Sequence, residues 1–156
     1  MTLQTILLAV GPGDADRTEE LAETVIEVAA PADATVVLAH VFTQDEYNEV
    51  LENLEMDAES DQVRPDEVAS RHSTIRKIQQ RLDEAGIDYD VRGDIGDHGS
   101  TIVELATGVA ADRVVVGGRR RSPTGKAVFG STAQEVLLSS PCPVTFVRSA
   151  EDAAED

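Results

Sequence analysis

The sequence predicts an α/β fold, a single three-layer domain on a doubly wound, five-stranded parallel sheet, and three observations carry that prediction. Short apolar runs at Ile6-Leu7-Leu8-Ala9-Val10, Val36-Val37-Leu38-Ala39 and Val114-Val115-Val116 are continuous rather than alternating, as strands buried on both faces must be. Between the runs, apolar residues recur at helical spacing. The 156 residues, 41% hydrophobic and 28% charged, suit one core.

Each element follows in chain order. Ile6 to Val10 is the first strand; Asp16, with Glu19 three residues later, reads as the start of a helix whose buried face is Leu21, Val25, Val28 and Ala29. The second strand is Val36 to Ala39. Residues 44–66 then break the rhythm, with many carboxylates and few apolar anchors beyond Val50, Leu51, Leu54 and Met56. This segment reads as a partly helical excursion followed by a mobile acidic loop from Asp57 to Asp66 that covers one side of the sheet. Asp57, Glu59 and Asp61 lack the glycine and distal glutamate of a calcium loop, so no metal is expected.

One further helix carries Val68, Ile75, Ile78 and Leu82 and stops at Gly86, before a strand near Ile87 to Val91. Ile102, Leu105, Ala106 and Val109 mark the next helix, Val114 to Val116 the next strand, and a helix from Ser131 to Leu138 precedes the last strand, Val144 to Arg148. Five strands alternating with four helices place helices on both faces, joined by right-handed crossovers. Pro141 and Pro143 lack a ladder N–H, so the last strand belongs at a sheet edge, where it could accept a partner chain. The domain is residues 1–149, and residues 150–156 are an acidic tail.

Net charge is −17, from 30 Asp and Glu against 13 Lys and Arg, and Lys77 and Lys126 are the only lysines. Such a surface repels phosphate backbones, which argues against nucleic acid as a partner. Hydrated carboxylates in excess, few lysines and 3% aromatic residues resemble the proteins of salt-accumulating halophiles and suggest a halophilic archaeon. At about 1 M salt the Debye length falls to about 3 Å, so self-repulsion is largely screened. No run of about 18 apolar residues could span a membrane, and Met1-Thr2-Leu3-Gln4 lacks the basic start of a secretory signal, so a soluble cytoplasmic protein is expected. Cys142, the lone cysteine, lies between two prolines and reads as a small packed residue.

Open parallel sheets bind ligands at the carboxyl ends of their strands, so the turns after the strands are where chemistry belongs. After the first strand comes Val10-Gly11-Pro12-Gly13-Asp14-Ala15-Asp16, in which Asp16 occupies the third-glycine position of a dinucleotide fingerprint, and Asp14 and Asp16 read as starting the helix. The longer turn, Val116-Gly117-Gly118-Arg119-Arg120-Arg121 through Gly130-Ser131-Thr132, leads from a buried strand into a helix. Free N–H groups at Gly130, Ser131 and Thr132 would suit a phosphate. A solvated loop capped by Ser131 explains the same residues. His40, His72 and His98 fall on different elements, no nucleophile–base pair emerges, and an enzyme is not predicted.

Gly117 and Gly130-Ser131 have the outer spacing of the Gly-x-x-Gly, nine residues, Gly-Ser/Thr motif of the universal stress protein family. The resemblance extends through Ile6 to Val10, Ala39-His40-Val41, Ala111-Asp112-Arg113-Val114-Val115-Val116-Gly117 and Cys142-Pro143-Val144. It implies strand order 3-2-1-4-5, homodimers paired through the last strand, Val144 to Arg148, and in some members ATP between the turns after strands one and four. Two positions depart from the motif: Arg120 replaces the middle glycine, and Gly11 replaces an aspartate that contacts the nucleoside.

Two functions are expected from these residues. The first is a sensor binding ATP, another adenine nucleotide or another phosphate-bearing ligand at Val10, Gly11, Val41, Gly117, Arg119, Arg120, Gly130, Ser131 and Thr132. The second is a dimeric interaction module whose nucleotide site is degenerate.

Overall fold

The computed structural model describes residues 3–54, 64–118 and 130–148. Five strands, β1 (Thr5–Val10), β2 (Thr35–Phe42), β3 (Tyr89–Ile95), β4 (Arg113–Gly118) and β5 (Val144–Arg148), form one sheet in the order β3-β2-β1-β4-β5. Every neighbouring pair is parallel; Leu8 at the centre of β1 lies between Leu38 of β2 and Val115 of β4. The proline-led last strand is at an edge, as expected.

Helices cover both faces. One face packs against α1 (Thr18–Ala32) and α4 (Ser73–Glu84), through Leu21, Val25 and Ala29 and through Ile75, Ile78 and Leu82, against Ile6, Leu8, Val36 and Leu38. The other packs Leu7, Ala9, Val37 and Val41 against Ile102 and Ala106 of α5 (His98–Gly108) and Val136 of α6 (Ser131–Ser139), with Cys142 at its margin. Full burial of a Leu, Ile or Val contributes about 1.5–3 kcal/mol, and the alternation of β-strand side chains serves both cores from one strand. Asp112, entering β4, accepts the N–H groups of Gln4 and Thr5 at 2.9 and 3.1 Å and so fixes the start of β1 beside it.

Several boundaries differ from the sequence expectation. Asp16 does not start an α-helix: Pro12–Arg17 form a 3-10 turn begun by Gly11, and α1 follows at Thr18. The helix expected to carry Val68 through Leu82 is two helices, α3 (Pro65–Ser70) and α4, broken where His72 caps α4 by accepting the Thr74 N–H. The third strand begins at Tyr89, with Ile87 in the loop before it.

The acidic excursion does contain a helix, α2 (Gln44–Asn53), held by a Thr43–Glu46 capping box and by buried Tyr47 and Leu51. Asp66 belongs to α3, not to a loop, and its Oδ1 accepts the Gly93 N–H of edge strand β3 at 2.7 Å. A Cβ on Gly93 would stand 2.1 Å from the Pro65 carbonyl oxygen, so only glycine lets α3 lie this close. Of the loop expected from Asp57 to Asp66, residues 57–63 lie outside the described residues, as does the tail. Among the described residues no helix is long and apolar enough to cross a membrane.

Candidate functional site

The chain winds outward from β1 to β2 and β3 on one side and from β4 to β5 on the other, so the strand order reverses between β1 and β4. Connections leave in opposite directions there, and a crevice opens at the strands' carboxyl ends. A cavity of about 300 Å³ occupies it, lined by Gly11, Gly13, Asp14 and Arg17 after β1, Val41 at the end of β2, and His98 and Ile102 of α5. Val116, Gly117 and Gly118 of β4, Thr132 and Ala133 of α6, and Ala9 and Val10 complete the wall.

Of the residues expected from sequence, Val10, Gly11, Val41, Gly117 and Thr132 line this one cavity. Gly130 and Ser131 stand immediately before Thr132, at the start of α6. Arg119 and Arg120 lie outside the described residues.

The β1 side is built by side chains. The 3-10 turn brings Asp14 back over Gly11, whose N–H donates to Asp14 Oδ2 at 2.6 Å. Arg17 Nη1 donates to Asp14 Oδ1 at 2.5 Å and to the Gly13 carbonyl at 2.7 Å. Both residues are buried, Asp14 to 5% exposure and Arg17 to 7%. Gly117 admits them, because a Cβ there would stand 2.7 Å from Arg17 Cδ and 2.9 Å from Asp14 Oδ1. Glycine at 117 thus makes room for the protein's own ion pair. In sequence Asp14 reads only as a helix start, and the one mark of Arg17's role is its three-residue spacing from Asp14.

The α6 side is built by backbone. Gly130, not Ser131, is the N-cap, in extended conformation and without a side-chain cap bond. Its carbonyl accepts the Gln134 N–H at 2.9 Å, the first bond of the helix, so the N–H groups of Ser131 and Thr132 have no acceptor within the helix. A Cβ on Gly130 would meet nothing within 4 Å, and its φ of −63° is open to any residue. Neither packing nor backbone conformation among the described residues requires glycine there.

The three histidines, separate in sequence, converge beside this crevice. His40 is buried, with its ring 4.4 Å from that of His72 and 4.4 Å from that of Phe42. Burial above all, then the neighbouring His72, lowers His40 to about 4, against an opposing pull from the Val10 carbonyl. The imidazole is therefore neutral at ordinary pH. His98, in the cavity wall, places Nε2 2.7 Å from Glu46 Oε1. Burial pushes the Glu46 carboxyl up, but the Thr43 N–H and His98 outweigh it and leave the group below its usual range. Among the described residues no group of three His, Cys, Asp or Glu is arranged to hold a metal ion.

In order across the crevice lie an apolar wall at Val41 and Ile102, a donor–acceptor pair at Arg17 and Asp14, and, at the start of α6, N–H groups with no acceptor inside the helix. The sequence pattern of the Universal stress protein family matches residues 2–148. A universal stress protein of Mycolicibacterium smegmatis is 30% identical over 80 residues, 51% of this chain and 62% of the relative, so the match spans less than two thirds of that relative's length. Two solved structures share the fold. A universal stress protein in complex with cAMP has a TM-score of 0.67 at 21% identity, covering 96% of this chain and 100% of that one. The universal stress protein from Archaeoglobus fulgidus in complex with dAMP has a TM-score of 0.65 at 20% identity, covering 94% and 99%.

Proposed function

The chain belongs to the universal stress protein family, and on that premise we propose that it is a non-enzymatic stress-response domain that binds an adenine nucleotide between the turns after β1 and β4. The observation that carries this reading is the start of α6, beside a crevice at the sheet's switch point, where among the described residues no packing requires glycine at 130 and the first helix N–H groups have no acceptor inside the helix. Val41, Ile102 and Ala133 would flank the base, and Gly130, Ser131 and Thr132 would hold the phosphate. The cAMP and dAMP held by the two structural relatives favour an adenine mononucleotide. Arg119 and Arg120 precede Gly130 in the same connection, where a charge-assisted contact worth about 1.5–3 kcal/mol would offset the missing glycine at 120.

Native mass spectrometry of protein purified without added nucleotide tests this, followed by thermal shifts with AMP, cAMP and ATP at low and molar salt. Nucleotide at about 100-fold its Kd stabilises by roughly 2.7 kcal/mol, a readily measured shift. No bound mass and no shift at either salt would overturn the reading. The working compartment in this proposal is a salt-rich cytoplasm, which the net charge of −17 suits.

The two sheet edges favour a second reading, a homodimer through β5 that serves as an interaction module. Edge strand β3 has α3 against it, whereas β5 follows directly on α6, which leaves Leu138 78% exposed. Sedimentation equilibrium across micromolar concentrations would show a dimer that Leu138→Asp weakens; a monomer throughout would exclude it.

A further inference from the structure

We infer that three aspartates, Asp66, Asp90 and Asp94, close the β3 edge of the sheet to strand addition, so that copies of this chain cannot pair through it. The main-chain bonds fix which way each amide of β3 points. Val36 N–H donates to the Asp88 carbonyl at 3.0 Å and Gly96 N–H to the Phe42 carbonyl at 2.8 Å, so the even-numbered residues turn their polar groups toward β2. The odd-numbered residues of β3 turn theirs away from the sheet. In the body of the strand each outward N–H meets a carboxylate: Val91 donates to Asp90 Oδ1 at 3.1 Å, Gly93 to Asp66 Oδ1 at 2.7 Å and Ile95 to Asp94 Oδ1 at 2.8 Å.

An outward row of N–H groups is a template for another strand. Here an arriving strand would have to displace three carboxylates, which as ionised acceptors hold an N–H more strongly than its own carbonyls would, and then lie against their charge. Two of the carboxylates are themselves held in place. Asp90 Oδ2 accepts Arg92 Nε at 3.0 Å, and Asp66 Oδ2 lies 3.5 Å from Arg64 Nη2. The opposite edge strand, β5, reads Val144-Thr145-Phe146-Val147-Arg148 and contains no carboxylate. Were both edges open, β5 of one copy could add to β3 of the next, a head-to-tail contact that repeats into a filament unless its rotation closes a ring. With β3 closed, β5 can meet only another β5, and assembly stops at two copies. That last step rests on the dimer reading above; the closure of β3 does not.

Sedimentation velocity of Asp66→Ala/Asp90→Ala/Asp94→Ala at molar salt, beside the wild type and Glu23→Ala/Glu27→Ala/Glu52→Ala, tests the assignment. The second variant removes the same charge from exposed helix positions. The edge variant should form species larger than the wild type that grow with concentration, while the helix variant keeps the wild-type size. Asp90→Ala/Asp94→Ala, which leaves Asp66 and α3 untouched, carries the same readout if the triple variant does not fold. Amide exchange of the wild type adds a measurement that needs no variant: the Val91, Gly93 and Ile95 N–H groups should exchange about ten- to a hundredfold more slowly than in an unstructured peptide, the protection expected from one charge-assisted hydrogen bond each. A folded edge variant that keeps the wild-type size at every concentration overturns the inference, as do growth of the helix variant to the same extent and exchange of these amides at the free-peptide rate. A wild type that stays monomeric while the edge variant grows removes the β5 dimer and leaves the closure of β3 standing.

Discussion

On the β1 side of the crevice the polar groups belong to two side chains, Asp14 and Arg17, buried and closed on one another; on the α6 side they belong to backbone, at a helix start whose N-cap has no side chain. The first arrangement is costly to disturb and chemically particular. The second costs the fold little, and bare helix N–H groups would suit anions of many shapes. If the proposed nucleotide site is assembled from both, its phosphate end could stay constant while the other end changes. Position 11 carries no side chain, yet an Asp14 carboxylate oxygen lies 3.7 Å from where its Cβ would be.

The sharpest way to break this comparison is to remove the guanidinium. Arg17→Ala strands the buried Asp14 carboxylate, and breaking a buried pair from one side costs about 3–5 kcal/mol. Urea unfolding at molar salt should show that loss, with most of it recovered in Asp14→Ala/Arg17→Met. An unchanged midpoint for Arg17→Ala would mean that the β1 side is no more dependent on side chains than the α6 side.

Acid attacks the same side from behind. His40 lies beside Val10 in the register of β1 and β2, and Val10 lines the crevice. The folded state holds His40 at about 4, below its ordinary 6.5, so the native protein resists a proton that the unfolded chain accepts. That contribution is fully present above pH 6.5 and is lost as pH falls toward 4, roughly 3 kcal/mol in total. His40→Gln should flatten stability against pH across this window. An undiminished slope in the variant would assign the acid sensitivity elsewhere.

A smaller perturbation asks whether the two sides share a wall. Gly117→Ala forces a methyl against Arg17 Cδ and Asp14 Oδ1, an overpacking worth about 1–3 kcal/mol. The penalty should shrink when Arg17 is already alanine, because its main obstacle is gone. Additive losses in chemical denaturation would show that Gly117 is needed for some other reason.

The same contrast explains what could be read from sequence. The sheet was legible because a continuous apolar run fits a strand covered on both faces, and the bounds of β5, Val144 to Arg148, come out as expected. Helix ends were less so. Gly86 announced a left-handed cap, but Asp33 and Ala110 make the same turn with φ of 54° and no glycine to mark it. The break between α3 and α4 at Arg71 and His72 contains neither glycine nor proline and barely disturbs the apolar spacing. Beside the crevice, Gly130 was visible because, with Ser131, it stands at the spacing from Gly117 that the family motif has. The roles of Arg17 and Asp14 were not, since they depend on Gly117, one hundred residues after Arg17 and adjacent only because β1 pairs with β4.

The α6 side is where stability and binding come apart, and Gly130→Asp exploits this. Aspartate is at least as good an N-cap as glycine, and its carboxylate can accept the N–H of the second or third helical residue and sit well with the helix dipole. The added Cβ meets nothing within 4 Å, so the fold should gain a few tenths of a kcal/mol. The same carboxylate would occupy the N–H groups assigned to phosphate and set a negative charge against it. The thermal midpoint without nucleotide should therefore hold or rise slightly, while the shift produced by AMP disappears. A midpoint that falls by several degrees would show that glycine at 130 serves the fold; an AMP shift that survives would place the phosphate away from the start of α6.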